Sequence, residues 1–461
     1  MSFLQKIRTW FRGLGKIARR LLIAAGAVAV AALIVFAWIV GGPGPTDFAS
    51  GKKVALARYE GADPTGVPAA LASASLVERG EYLAHAADCV VCHTAKGGEE
   101  YAGGFAFTLP FGTIYSTNIT PDPETGIGAY TDEQFLAAVH RGVRRDGARL
   151  YPAMPFPSYT YMTDADALAI KAYLFSLEPV HAPPRPNTLA FPFNQRWLMG
   201  MWSAFFNADE RFRPNAAKGP EWNRGAYIAE ALAHCGECHT PRNIAFALDN
   251  RNKFGGAVTA GWRAYNISSH AEKGVGAWTD DELFSYLTIG HAPGRGTASG
   301  PMGEAVDESF SRLAADDMRA VVSYLRTLPA VGAGPATTRA PAAPESHKAG
   351  VEGAHAQGKQ VFEGACASCH GWTGESALSP FATLTGARSV NDPRATNVAQ
   401  IVISGMKRTT PEGVISMPAF GEAYSDAEIA AVANYVTARF GGASSNITEK
   451  DVAALRRQSA Q

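Results

Sequence analysis

All six cysteines of the chain fall in one pattern, Cys-x-x-Cys-His, which occurs three times: Cys89, Cys92 and His93; Cys235, Cys238 and His239; Cys366, Cys369 and His370. This is the attachment pattern of c-type haem. Two thiols at this spacing reach the two vinyl groups of one porphyrin, and the histidine after the second thiol then lies under the iron as proximal ligand. Zinc sites also use Cys-x-x-Cys pairs, but three pairs cannot fill four-cysteine sites evenly. Disulfides suit an exported chain and give no reason for the histidines. The pattern therefore predicts three covalently bound haem c groups.

The surroundings repeat with the motif, as expected of duplicated units. Arg79-Gly80-Glu81-Tyr82 matches Arg224-Gly225-Ala226-Tyr227, and Asn118-Ile119-Thr120 matches Asn266-Ile267-Ser268. Gly128 to Asp132 reads Gly-Ala-Tyr-Thr-Asp, and Gly276 to Asp280 reads Gly-Ala-Trp-Thr-Asp. The third unit is more distant but keeps Gly358 ahead of its motif and Tyr435 late in the unit, where the others have Tyr173 and Tyr324. Ser75 with Glu78, Thr279 with Glu282 and Ser425 with Glu428 fit the capping box that starts a helix. Each unit thus reads as a helix leading into the motif, a long loop, a middle helix and a closing helix. Gly80, Gly225 and Gly358 would let the first helix cross the last at close range. The expected fold is all-α: three tandem cytochrome c-type haem domains after one N-terminal transmembrane helix.

A distal methionine raises the potential of such a haem, and each unit offers one downstream of its motif. Met154 lies in a Tyr-Pro-Ala-Met-Pro-Phe-Pro run, Met417 in Ser-Met-Pro-Ala-Phe, and Met302 in Ser-Gly-Pro-Met-Gly. The metal ligands expected are therefore His93 with Met154, His239 with Met302, and His370 with Met417. Met162 and Met406 read as core filler. Histidines 85, 140, 181, 234, 270, 291, 347 and 355 are read as surface or hydrogen-bonding residues rather than second axial ligands.

The first twenty residues carry six basic side chains and no acid, and Leu21 to Val40 is uncharged. Twenty apolar residues cover the roughly 30 Å core of a bilayer, and the basic flank stays in the cytoplasm. A cleaved signal has a shorter apolar region and a small-residue cleavage site, so a retained anchor is expected. The chain is placed in the bacterial inner membrane, single-pass, with its haem domains in the periplasm. Lys plus Arg is 42 and Asp plus Glu is 42, which leaves no basic footprint for nucleic acid. A hydrophobic fraction of 46% excludes a disordered chain. The divisions expected are 1–44 basic segment and anchor, 70–180 first haem domain, 181–221 inter-domain segment, 222–330 second domain, 331–351 Ala/Pro-rich linker, 352–441 third domain and 442–461 tail. The apolar run Trp197 to Phe206 is too short to span a bilayer. It reads as a helix packed on its own domains, with an interface to a partner subunit or the membrane surface as the alternative. The tail from Thr448 looks weakly helical and is assigned no role.

An exported, anchored chain with these three motifs, and especially the run Cys235-Gly236-Glu237-Cys238-His239-Thr240-Pro241-Arg242-Asn243, resembles the cytochrome c subunit of bacterial membrane-bound dehydrogenases over roughly residues 70–440. The resemblance implies that a separate catalytic subunit oxidises an aldehyde, alcohol or sugar, using a molybdopterin with iron–sulfur clusters, a flavin or a quinoprotein cofactor. Electrons would pass through this chain, which has no catalytic residues of its own, to ubiquinone or the respiratory chain. The alternatives are a cytochrome subunit of a terminal oxidase or other respiratory complex, and a haem peroxidase-like enzyme.

Overall fold

The computed structural model describes residues 3–332, 355–410, 413–442 and 444–459. His347 and most of the expected 331–351 linker lie outside them. The chain divides into two units, Met1–Gly44 and Pro45–Gln461. The first consists of helix α1 (Phe3–Gly13) and helix α2 (Lys16–Val40). The second is 25 residues long and has no buried residue. It is long and apolar enough to cross a bilayer.

The second unit is mostly helical. Its first repeat contains α3 (Leu76–Ala86), α4 (Asp132–Arg141) and α5 (Asp164–Leu174). Helix α6 (Leu198–Phe206) follows. The second repeat has α7 (Pro220–Tyr227), α8 (Asp280–Thr288), α9 (Pro301–Glu308) and α10 (Ala315–Leu325). The third has α11 (Ala356–Val361), α12 (Thr396–Ser404) and α13 (Asp426–Phe440), and α14 (Glu449–Ser459) ends the chain. In the second and third repeats a π-helical turn, Ile228–Leu232 and Phe362–Cys366, carries the leading helix on to the cysteines. The three capping boxes anticipated in the sequence are formed, at Ser75, Thr279 and Ser425. Thr131 with Gln134 adds a fourth.

The closest helix crossings depend on one residue type. A Cβ on Gly80 would overlap the Ala169 carbonyl, one on Gly225 that of Ala320, and one on Gly358 that of Ala431. The backbones of α3 and α5, of α7 and α10, and of α11 and α13 are therefore in contact. The first two repeats share a single core, with Leu83, Ile170, Tyr227 and Tyr324 among its members, whereas the third builds its own around Phe362, Ile429 and Phe440.

The chain is mostly helical, as the all-α expectation has it, and short strands that the expectation did not include are added. Four two-stranded antiparallel hairpins occur among the described residues: Ala106–Leu109 with Gly112–Tyr115, Ala257–Thr259 with Trp262–Ala264, His291–Ala292 with Gly296–Thr297, and Met406–Thr410 with Gly413–Met417. In the second of these, Ala260 (φ 49°) and Gly261 (φ 76°) are both left-handed. That is the two-residue turn whose twist suits a hairpin. The strands are too short to carry a legible alternation.

Two further segments are assigned by packing. Residues 45–75 are tied to the inter-domain segment and to both of the first two repeats: Val54 N donates to Pro214 O at 2.9 Å, Gly66 N to Asp166 at 2.9 Å, and Arg224 to the carbonyls of Pro64 and Gly66. The tail is part of the third repeat, since Val452 is fully buried and Arg456 donates to Asp426 at 2.7 Å.

Candidate haem-attachment sites

Each motif begins or continues in a short helical turn: Cys89–Cys92, Gly236–His239 and Ala367–His370. That turn brings both cysteines and the histidine to one end of the leading helix. The six thiols are free of disulfide bonds. Burial pushes Cys89 and Cys235 up to about 12, and Cys238 and Cys366 up to about 11, so these thiols are neutral. Burial also lowers His93, His239 and His370, which favours neutral rings suited to metal ligation.

The three histidines make one contact in common. His93 Nδ1 lies 2.7 Å from Thr117 O, His239 Nδ1 2.6 Å from Tyr265 O, and His370 Nδ1 2.6 Å from Ala382 O. A carbonyl only accepts, so each Nδ1 carries the proton and each Nε2 keeps its lone pair for a metal. The accepting loops are held alike in the first two repeats. Asn118 Oδ1 accepts from Thr120 N at 2.9 Å while its Nδ2 donates to Val180 O at 2.7 Å. Asn266 does the same with Ser268 N at 2.8 Å and Val331 O at 2.7 Å. The repeated Asn-Ile-Thr and Asn-Ile-Ser are thus the devices that fix the carbonyl behind each histidine. In the third repeat the acceptor comes from a shorter loop, 12 positions after His370, against 24 and 26 in the others.

The methionines occupy different local structures. Met154 sits in a non-helical turn just before the short helix Phe156–Tyr159 and packs on the shared core. Met417 is the last residue of its strand, opposite Met406, and packs on the third core. Met302 is in the first turn of α9, which Pro301 opens; proline is favoured there because its missing N–H has no partner to lose. Met162 is buried in the shared core, as core filler should be. Of the remaining histidines, His85 bonds Glu308 O, His234 packs its ring on Tyr159 at 5.4 Å, and His270 accepts from the N–H groups of Glu272 and Lys273.

The motifs are joined by short bridges. Ser158 donates to Glu237, inside the second motif, at 2.8 Å, and Tyr159 donates to Ala87 O, just before the first, at 2.5 Å. Thr297 of the second repeat donates to Phe381 O at 2.9 Å, one residue before the carbonyl behind His370. The apolar helix α6 is partly bound to its own protein, through Trp202 Nε1 to Ala245 O at 2.7 Å, while Trp197, Met201 and Phe205 stay exposed.

The cytochrome c family pattern matches residues 77–178, and that of cytochrome C oxidase, cbb3-type, subunit III matches residues 353–436. The fructose dehydrogenase cytochrome subunit of Gluconobacter japonicus is 37% identical over 86% of this chain and 85% of its own length. The chain belongs to the cytochrome c subunits of dehydrogenases. The gluconate 2-dehydrogenase cytochrome c subunit of Pantoea cypripedii is 38% identical over 84% of this chain and 90% of its own. The alcohol dehydrogenase (quinone) cytochrome c subunit of Gluconobacter oxydans is 35% identical over 84% and 83%. As a member of this family the chain is an electron-transfer subunit that works with a dehydrogenase, carries covalently bound haem c, and is not itself the catalytic subunit.

Proposed function

We propose that the chain carries three haem c groups and relays single electrons from a periplasmic dehydrogenase subunit to ubiquinone or the respiratory chain. The observation that carries this reading is the threefold recurrence of a half-buried, neutral histidine whose Nδ1–H is fixed by a backbone carbonyl. In this reading residues 70–180, 222–330 and 352–441 are three cytochrome c-type units, and Lys16–Val40 anchors them to the inner membrane on its periplasmic side. Cys89 and Cys92, Cys235 and Cys238, and Cys366 and Cys369 hold the porphyrins. His93, His239 and His370 ligate on one face, and Met154, Met302 and Met417 on the other.

Haem supplies a one-electron couple whose potential depends on its ligands and burial. The protein's part is to hold each imidazole in one tautomer, to exclude water with the two apolar cores, and to keep neighbouring motifs within short bonded bridges. The partner is a catalytic subunit that oxidises an aldehyde, alcohol or sugar; relatives named for fructose, gluconate and alcohol dehydrogenases support the alcohol and sugar classes.

Haem content tests the reading. Acid–acetone extraction of the denatured chain should leave three haems per polypeptide, and replacing Cys366 and Cys369 together with alanine should leave two. A native chain retaining fewer than three would overturn it. The match of residues 353–436 to an oxidase subunit favours a second reading, a cytochrome subunit of a terminal oxidase. Purification in mild detergent with a copper or high-spin haem core, and no dehydrogenase, would decide for that one.

A further inference from the structure

The three carbonyls behind the proximal histidines are not equally placed. Thr117 and Ala382 have no ring on which a cation could stack, whereas Tyr265 has two guanidinium groups against it. Arg388 Cζ lies 5.1 Å from the Tyr265 ring centroid and Arg263 Cζ lies 5.9 Å from it. The two cations differ in their partners. Arg263 Nε is 3.4 Å from the Asp392 carboxylate, which offsets its charge. Arg388 lies within reach of the same carboxylate's charge but makes its hydrogen bonds to neutral carbonyls, to Gly274 O at 3.3 Å and to Lys273 O. Its own backbone N–H donates to Arg295 O at 2.9 Å, so the stem of the side chain is pinned as well. Arg388 belongs to the third repeat, six positions after Ala382, the acceptor for His370; every one of these partners belongs to the second. Both residues border a cleft of about 690 Å3 between the two repeats.

We propose that Arg388 is a positioning residue through which the third repeat raises the reduction potential of the haem held at His239. Its contact with that site runs through Tyr265. A fixed cation opposes the extra positive charge of the oxidised centre. It also draws electron density from the Tyr265 peptide, which makes the carbonyl a poorer acceptor and leaves the His239 ring less imidazolate-like, a weaker donor to the metal. Both effects act in the same direction, and the stacked, doubly donating fork is a task for arginine rather than lysine. Docking of the third repeat and the driving force through the second are thereby linked. Electrons arriving at the middle site meet a higher potential when the third repeat is in place.

The inference rests on the haem reading above, so the test uses the full-length, haem-loaded protein after its haem content is confirmed as three per chain. A lower content in the native protein would overturn the haem assignment itself. Optical redox titration of R388Q should lower one of the three potentials by about 59 mV, the shift that corresponds to a tenfold change in a one-electron equilibrium. R388K keeps a charge without the planar fork and should lower the same potential by less. The low-spin ferric resonance of that one haem should shift with it in electron paramagnetic resonance. The control is T297V. Thr297 also joins the second repeat to the third, donating to Phe381 O at 2.9 Å, and is not one of the groups stacked on Tyr265. T297V should leave the middle potential unchanged. Native potentials in both R388Q and R388K, or an equal shift in T297V, would overturn the proposal.

Discussion

The Tyr227 hydroxyl donates to Asp166 Oδ2 at 2.5 Å, from the leading helix of the second repeat to the closing helix of the first. The opposite bond is also present: Tyr82 donates to Asp317 Oδ2 at 2.6 Å, from the leading helix of the first to the closing helix of the second. Each hydroxyl also accepts a backbone N–H at the start of the helix it reaches, from Thr163 at 3.2 Å and Ala314 at 3.1 Å. The first two repeats are therefore joined by a reciprocal pair of contacts between matching residues, which explains why they share one core.

The two bonds differ in what remains when one is cut. Asp317 keeps the bidentate Arg224 pair, at 2.8 and 2.6 Å, whereas Asp166 Oδ2 keeps only the N–H of Gly66. Tyr227→Phe should therefore cost about 2 kcal/mol and Tyr82→Phe about 1 kcal/mol, within the range for buried polar groups losing a partner. Asp317→Ala, which strands the buried Arg224, should cost more than either, about 3–5 kcal/mol. Denaturant unfolding of the haem-loaded variants measures all three.

Alanine at the crossing glycines should be destabilising, against the usual gain of a helical Gly→Ala change. Besides the carbonyl overlap, the added Cβ would lie 2.9 Å from Tyr173 Cβ at position 80, 2.9 Å from Tyr324 Cβ at 225 and 2.8 Å from Tyr435 Cβ at 358. Gly80→Ala, Gly225→Ala and Gly358→Ala should each lose about 3 kcal/mol, the upper end of overpacking costs. Gly364→Ala, where nothing lies within 4 Å, should lose none of this. Thermal melts compare the four directly.

Met417 and Met406 face each other across their hairpin, and the ligand assignment separates them. Met417→Ala should lower one haem potential and let that haem bind carbon monoxide or cyanide, because the thioether that raises the potential is gone. Met406→Ala should do neither. Spectra recorded with the exogenous ligands report the difference, and ligand binding by the native protein would contradict the assignment.

His140 is buried on α4, and burial, with Arg211 beside it, lowers its pKa to about 4. The unfolded chain takes up this proton near pH 6.5 and the folded chain resists it. The contribution is therefore fully present above about pH 6.5 and is lost as the pH falls towards 4. At 1.36 kcal/mol per pH unit the loss reaches about 3 kcal/mol. His140→Gln should flatten that part of the stability profile between pH 6.5 and 4 in denaturant titrations.

The sequence showed the haem motifs, the capping boxes, the crossing glycines and the matching Asn-Ile-Thr/Ser segments because each is a local pattern with a local physical demand. The hairpins escaped it because strands of two to five residues give no readable period and their turns depend on backbone angles, as at Ala260 and Gly261. The tail gave only a weak helical signal, and the burial of Val452 depends on packing against the third core. The segment 45–75 carried no motif, and its place is fixed by backbone and side-chain hydrogen bonds to residues more than a hundred positions away.

By itself the sequence determined where the Cys-x-x-Cys-His motifs stand and which ring follows each thiol pair, since thiol spacing and an adjacent histidine are set by covalent chain geometry. Only the tertiary structure decided which carbonyl stands behind each ring, that the first two repeats exchange tyrosine–aspartate bonds, and that Arg388 lies on Tyr265. Those contacts join residues far apart in the chain, and no short-range pattern encodes the distance between them.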